Sequence, residues 1–544
     1  MNSHVPTLEW IGKEKVINHH QDVPFRLLEK KYTYNAESSE NMIIHGDNLL
    51  ALKSLLPQYE GRVDCIYIDP PYNTGNEKWV YNDNVNDPRI KKWLGEVVGA
   101  EGEDLSRHDK WLCMMYPRLK LLYKLLSDHG AIFISIDDNE YSNLKLLCDE
   151  IFGSRCFISN IVWQKKTGAS DSRGIANITE YILVYVKNDN VVGEIFNRNT
   201  EAFDIARYRF TDEFVERRGN YYLDSLDRGS VRYSDALNYP IIAPDGTEIY
   251  PNGRSKFEND GWTWKWSKEK VLWGIKNGFI VISKSSAKQC GWAVRYKIYL
   301  KVDNEDNLIE KSSPYKNVIN DVLNANAAAD IKSIFAGKTA FQYSKPFGLI
   351  KTLLGYVIKR DSIVLDSFAG SGTTAHAVLD LNKKDSGNRK FILVEMMDYA
   401  ETITAERVKR VIVGYGEGSK AVEGLGGDFS YYELGAPLFD ENKNINEEVP
   451  AEEIRKYIYY METKQPPEVN TDDNEYFLGK HNDTAYYFYY EKARATTLNT
   501  DFLSTIKTKA SGYLIYADVC ALSKAMMEKY GITFKKIPRD IQKL

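Results

Sequence analysis

The sequence predicts an α/β fold built on a mostly parallel sheet and broken by one large insertion. Three observations predict it. In the first third of the chain, short apolar runs ending at turn residues alternate with amphipathic stretches. From about Lys187 to Asp330, turn residues, aromatics and charges mix with no sustained helical period. At Ser362 the strand-turn-helix pattern resumes.

Taken in order, Val63-Asp64-Cys65-Ile66-Tyr67-Ile68 reads as a buried strand running into Asp69-Pro70-Pro71-Tyr72. Trp111 to Ser127 has helical spacing, with Leu112, Met115, Leu119, Leu122 and Leu126 on one side and Gly130 as its stop. Ala131 to Ile136 is the next strand, Leu144 to Phe152 a helix ended by Gly153, and Tyr181 to Val186 another strand. After the insertion, Ser362 to Leu365 and Lys390 to Val394 are strands again. Phe439 to Pro450, acidic and Asn-rich, reads as a linker to a small α/β tail. The expected division is 1–190 and 331–438 for two halves of one domain, 191–330 for the insertion and 450–544 for the tail.

With 43% hydrophobic and 27% charged residues, the chain reads as globular. Six scattered cysteines without Cys-x-x-Cys spacing give no zinc ribbon or redox pair, and no metal site is expected. They suit a reducing cytoplasm. Met1 to Trp10 lacks signal-peptide character, and no apolar run suits a bilayer. The net charge of −5 does not exclude nucleic acid, since phosphate binding needs only a local basic surface.

Two motifs carry chemistry. Asp69-Pro70-Pro71-Tyr72 combines a carboxylate, a stiff turn presenting the Pro70 carbonyl, and an aromatic ring. Such a set can hold and polarise an exocyclic amine while the ring clamps a base that has left its helix. The same residues would also serve as a surface turn in which Asp69 caps a helix. The second motif, Asp366-Ser367-Phe368-Ala369-Gly370-Ser371-Gly372-Thr373-Thr374, follows a strand and opens a helix. Its glycines allow close backbone approach to a ligand. About 20 residues on, Glu395 ends the next strand, where a carboxylate can accept from ribose hydroxyls. The spacing lacks the full dinucleotide pattern and suits a nucleoside cofactor without a pyrophosphate at least as well as NAD.

Together the motifs resemble the amino-methyltransferases of DNA, in particular their β group, where the catalytic motif precedes the target-recognition region and the cofactor motif follows it. The resemblance implies a Rossmann-like S-adenosylmethionine-dependent methyltransferase fold with circularly permuted motif order. It places catalysis on Asp69, Pro70, Pro71 and Tyr72, and cofactor binding on Asp366, Phe368, Ala369, Gly370, Gly372, Thr373 and Glu395. Members acting on cytosine N4 usually carry Ser at the Asp69 position, so the Asp implies adenine N6. Ile44-His45-Gly46-Asp47-Asn48-Leu49 is similar to the family's Gly-Asp segment, which would put Asp47 on the cofactor's adenine; Asp47 as a helix N-cap is the alternative. Phe341-Gln342-Tyr343-Ser344-Lys345-Pro346, Glu180-Tyr181-Ile182-Leu183-Val184-Tyr185 and Gly531 to Pro538 resemble modification (Mod) subunits of type III restriction-modification systems. That likeness adds Lys345 to the cofactor set and implies a homodimer with a separate helicase-nuclease partner, acting on double-stranded DNA.

The insertion interleaves bases and aromatics. Arg254, Lys256, Lys265, Lys268, Lys288, Arg295 and Lys297 are candidates for DNA contact. Trp262-Thr263-Trp264-Lys265-Trp266 suggests a strand whose tryptophans are the core of a small β-rich domain. The insertion is expected to read the recognition sequence. Competing readings are a solitary DNA methyltransferase of adenine N6 or cytosine N4, an RNA or protein-glutamine methyltransferase, an inactive DNA-binding subunit, and a nicotinamide-dependent oxidoreductase; the last leaves Asp69 to Tyr72 without a role.

Overall fold

The computed structural model describes residues 7–75, 88–99, 105–168, 174–200, 204–229, 233–440, 442–465 and 474–539. Two compact units emerge. Arg198–Tyr315 forms one, and the remainder of the chain on both sides forms the other.

The larger unit is organised on a ten-stranded sheet. In chain order its strands are β1 (Arg26–Tyr34), β2 (Met42–His45), β3 (Val63–Ile68), β4 (Leu126–Ile136), β5 (Phe157–Gln164), β6 (Thr179–Val186), β7 (Val318–Ile319), β8 (Ile363–Asp366), β9 (Lys390–Glu395) and β10 (Phe429–Pro437). Their spatial order is β1-β10-β2-β9-β8-β3-β4-β6-β5-β7. The six strands from β10 to β4 run parallel, flanked by antiparallel β1 and β6. Strands covered on both faces need apolar residues at nearly every position. Accordingly β3, β8 and β9 are almost wholly buried.

The switch point lies between β8 and β3, which pair Val364 with Cys65 and Leu365 with Ile66 although some 300 residues separate them in the chain. From β8 the chain passes through the helix Thr373–Asp385 to β9 on one side. From β3 it passes through the helix Arg107–Leu125 to β4 on the other. Right-handed crossovers in opposite directions put these helices on opposite faces. In an open α/β sheet, the usual ligand position lies beyond the carboxyl ends of the strands at such a switch point.

The long helix starts earlier than the hydrophobic spacing indicates. Ser106 and Asp109 form a capping box, with Asp109 N–H donating to the Ser106 hydroxyl at 3.2 Å. It also ends earlier, at Leu125, because Gly130 is not its stop. Gly130 lies inside β4, where a Cβ would stand 2.9 Å from the Val63 carbonyl, so close packing of neighbouring strands requires the glycine. Phe439–Pro450 is no free linker either. Phe439 packs edge-on against Tyr457 with centroids 5.4 Å apart, and buried Ile445 donates its N–H to the Pro538 carbonyl at 2.8 Å. Beyond it, the helix Ala451–Thr463 precedes a four-stranded mixed sheet with its own core of Phe477, Tyr487, Phe502 and Ile515.

Arg198–Tyr315 is narrower than the irregular stretch seen in the sequence. The helix Asn324–Ile334 belongs to the larger unit. The smaller unit holds a three-stranded antiparallel sheet of Ile280–Lys284, Trp292–Tyr299 and Tyr221–Ser225, and also a helix, Lys268–Lys276, that the periodicity did not disclose. Trp264, Trp266, Trp292 and Phe279 form its core, while Trp262 is only half-buried.

Candidate active site

Asp69-Pro70-Pro71-Tyr72 leaves the carboxyl end of β3, and its placement excludes a surface turn. Asp69 and Tyr72 are 5% and 7% exposed. The indole of Trp111 donates to the Pro71 carbonyl at 2.7 Å. Asn73 follows with φ 57°, a left-handed conformation that Asn tolerates better than most residues. Its amide donates to the Arg107 carbonyl at 3.2 Å and to the Glu140 carboxylate. His108 lies 2.7 Å from the same carboxylate. The turn is thus held from behind by buried groups.

A charged cluster faces it. Lys345 Nζ stands 3.0 Å from Asp69 Oδ1, 3.4 Å from Glu180 Oε2 and 4.8 Å from the Tyr72 ring centre. The Tyr72 hydroxyl donates to Glu180 Oε2 at 3.1 Å, and Lys165 pairs with Glu180 Oε1 at 3.1 Å. Burial pushes the Asp69 carboxyl above its usual range, with Lys345 opposing and Glu180 adding to the rise. Burial also resists ionisation of Glu180, but Lys345 and Lys165 outweigh it and hold Glu180 low. Lys345 is likewise disfavoured by burial, yet the two carboxylates keep its ammonium charged above the usual lysine range. Tyr72, Lys165, Glu180, Phe341 and Lys345 line a cavity of about 420 Å³.

The Gly-rich loop occupies the carboxyl end of β8. Asp366 accepts from Phe368 N–H at 3.0 Å and from the Thr374 hydroxyl at 2.5 Å. Glu395, at the end of β9, accepts from Gly370 N–H at 2.7 Å and Met397 N–H at 2.9 Å. Burial lifts both carboxyls to about 7. Gly372 has φ 80°, and a Cβ there would stand 3.1 Å from the Thr404 carbonyl, so this turn tolerates only glycine without strain. Thr373 donates to the Lys345 carbonyl at 3.4 Å, joining the loop to the segment that carries the lysine. Ala369 is buried, Phe368 half-buried.

Asp47 caps the helix Asn48–Tyr59, accepting from Leu49 N–H at 2.8 Å. It stands at the same carboxyl end of the sheet as Glu395, because β2 and β9 pair His45 with Glu395. Lys345, read from sequence as a cofactor contact, lies against the Asp69–Tyr72 turn.

Sequence reasoning assigned no role to three buried groups. Glu180 links Tyr72 to both lysines. Arg407, wholly buried, donates to the Ser371 and Thr373 hydroxyls at 2.8 and 2.7 Å, and burial lowers it to about 10. Arg118 donates to Asn48 at 2.6 Å, and Asn48 in turn to the Ser367 carbonyl at 2.9 Å. No spacing in the sequence joins these residues. The one available signal was a charged residue within an otherwise apolar strand, as Glu180 is.

In the smaller unit the seven basic candidates divide. Arg254 is buried and donates to the carbonyls of Pro251, at 2.9 Å, and Glu258. It holds a loop together and is not offered to phosphate. Lys265, Lys288 and Lys297 pair with Asp224, Asp227 and Asp212 at 2.8, 3.1 and 2.5 Å. Lys256, Lys268 and Arg295 are exposed.

Residues 63–406 match the family model described as DNA methylase, and the chain belongs to that family. It is 34% identical over 66% of its length to the type III restriction-modification enzyme StyLTI Mod subunit of Salmonella typhimurium, covering 52% of that protein. Identity to the EcoPI Mod subunit of Escherichia phage P1 is 33%, covering 72% of this chain and 63% of the relative. The type II methyltransferase M.KpnI of Klebsiella pneumoniae is 34% identical over 68% of this chain and 84% of its own. The chain thus spans about half to two thirds of the length of the Mod subunits it matches. Among solved structures, PvuII DNA methyltransferase (cytosine-N4-specific) is similar at a TM-score of 0.34 and 12% identity, over 70% of this chain and 89% of that one.

Proposed function

We propose that this chain transfers a methyl group from S-adenosylmethionine to the N6 amine of an adenine flipped out of duplex DNA. The observation that carries the reading is the parallel pairing of β3 and β8, which brings the Asp69 turn and the Gly-rich loop to the carboxyl ends of neighbouring strands. Asp rather than Ser at position 69 favours adenine over cytosine.

The residues fit the cofactor. The positive φ values of Gly370 and Gly372 form a backbone cradle, and Glu395 keeps carboxylate lone pairs beside it for ribose hydroxyls. Ala369, Phe368, Asp366, Thr373 and Asp47 complete the wall. When bound, S-adenosylmethionine supplies an electrophilic methyl group on sulfonium sulfur. The Tyr72 ring clamps the base, steadied by its hydroxyl bond to Glu180. Asp69 and the Pro70 carbonyl accept from N6, orienting its lone pair and stabilising the positive charge that develops there. Burial raises the proton affinity of Asp69, so it can hold the proton that N6 sheds. Tyr72, Glu180 and Lys345 line the 420 Å³ cavity that would receive the base.

The names of the relatives favour a Mod-type subunit, and the reading extends to a homodimer working in the cytoplasm with a separate helicase-nuclease chain. Residues 198–315 are the part that reads the DNA sequence. Among the described residues no helix is long and apolar enough to cross a membrane. The test is single-molecule sequencing of DNA from cells expressing the wild type or Asp69→Ala. N6-methyladenine in one short motif, present with the wild type alone, is expected. 4-Methylcytosine would overturn the base assignment, and methylation by Asp69→Ala would remove the carboxylate from catalysis. Purified Asp69→Ala is expected to retain cofactor binding and to lose at least about 100-fold in rate.

A further inference from the structure

We propose that a cavity walled by the loop before β1, the helix Asn48–Tyr59 and the helix Ala451–Thr463 binds a nucleoside phosphate, at a site separate from the methyl-transfer pocket. The cavity measures about 610 Å³, within the range of small-molecule sites. Four ammonium groups line it, from Lys53, Lys124, Lys443 and Lys464, and among the described residues none has a carboxylate in ion-pairing range. Elsewhere in the larger unit, well-buried lysines are paired, as Lys13 is with Glu150 at 2.9 Å and Lys345 is with Asp69.

Lys53 is the centre of the arrangement. It is 7% exposed, and two of its N–H groups go to the His20 and Gln21 carbonyls, both at 2.9 Å. The same ammonium lies 4.8 Å from the centre of the Phe25 ring. Burial, then the charge of Lys124, depress its ammonium to about 8, with Lys464 adding to the effect and Asp22 and Glu60 opposing it. Two carboxylates, Asp22 and Asp440, share the wall, but Asp440 is engaged by the N–H groups of Asn442 and Asn444 at 2.9 and 2.8 Å. Like charges gathered around a cavity are relieved by an anion that accepts from several at once, as phosphate does.

The rest of the wall is aromatic. Phe25 packs edge-on against Tyr457 at 4.5 Å, and Tyr457 against Phe439 at 5.4 Å, with Phe439 and Tyr457 half-buried. Phe25 is buried, with the Lys53 ammonium against its ring, so the half-buried rings of Phe439 and Tyr457 are the ones that offer stacking to a flat ring from the cavity wall. A ligand with phosphate at one end and a base at the other satisfies both features.

The inference does not depend on the methyl-transfer reading. The test is calorimetric titration of the full chain, saturated with S-adenosylhomocysteine, with uridine triphosphate and with ring-free tripolyphosphate. Uridine triphosphate is expected to bind saturably, more weakly as salt rises, and tighter than tripolyphosphate. Lys124→Glu and Lys464→Glu, each with unchanged circular dichroism, are expected to weaken it at least about tenfold. Absence of saturable binding, or binding indifferent to both variants, overturns the site. Equal affinity for tripolyphosphate overturns the nucleoside assignment.

Discussion

Replacing Lys345 by Met tests how the pocket keeps its carboxylates ready. In the wild type the ammonium stands 3.0 Å from Asp69 and 3.4 Å from Glu180, with lysine and carboxylates nearly buried. At an effective dielectric of 20, a charge pair at about 3 Å interacts by about 5 kcal/mol, and breaking a buried pair by removing one partner typically costs about 3–5 kcal/mol. Met keeps the volume and removes the charge. Asp69, already pushed up by burial, then loses the cation that opposes the rise and gains proton affinity. A protonated Asp69 accepts poorly from the target amine. Methyl transfer at pH 7 is therefore expected to fall by at least about tenfold, with the ascending limb of the pH–rate profile displaced to higher pH and activity partly regained there. Incorporation of labelled methyl groups into DNA between pH 5.5 and 9.5 measures this, and thermal unfolding measures the stability loss. Glu180 retains Lys165, so Asp69 bears most of the change. An unchanged profile with an unchanged melting temperature would refute the argument. A uniform rate loss without displacement would show that the charge of Lys345 acts otherwise than through the proton affinity of Asp69.

Glu395→Ala is expected to weaken cofactor binding about 10- to 100-fold, the worth of a hydrogen bond to a charged group, as equilibrium dialysis can read. In the wild type, affinity should rise with pH through about 7, since the ionised Glu395 is the acceptor. The linked stability effect has the opposite sign. Asp366 and Glu395 have folded values near 7 against ordinary values of 3.8 and 4.5, so their contribution is complete below those values and is lost as pH rises through about 7. The ligand-free chain is expected to melt lower at pH 8 than at pH 6, and Asp366→Asn to narrow that difference; a melting temperature that rises over this interval contradicts the shifts. Trp264→Ala removes a fully buried indole whose N–H donates to the Tyr239 carbonyl, and about 3–5 kcal/mol of stability should be lost from residues 198–315, measured by denaturant unfolding. Exchanging residues 198–315 for those of a relative should move the methylated motif to the relative's; an unmoved motif would relocate sequence reading to the rest of the chain.

Much was legible in the chain because it is written locally. The apolar run Val63 to Ile68 is a strand wherever a parallel sheet buries both faces, and its end at Asp69-Pro70-Pro71 follows from proline's missing donor. Gly370 and Gly372 announce positive φ because other residues are strained there. Gly130 misled for a related reason: the sequence cannot say whether a glycine ends a helix or admits a neighbouring backbone, and only the pairing of β3 with β4 decides. Arg254 looked available to phosphate until its burial showed the guanidinium spent on carbonyls.

What the tertiary structure alone decided is the charge state of the pocket. Asp69, Glu180 and Lys345 come from three distant segments, and nothing in their spacing foretells contact. Motif residues are set by short-range sterics, which a few neighbours in sequence suffice to express. Electrostatics inside a protein depends on burial and on which distant charges arrive within a few ångströms, and those quantities exist only once the sheet has closed.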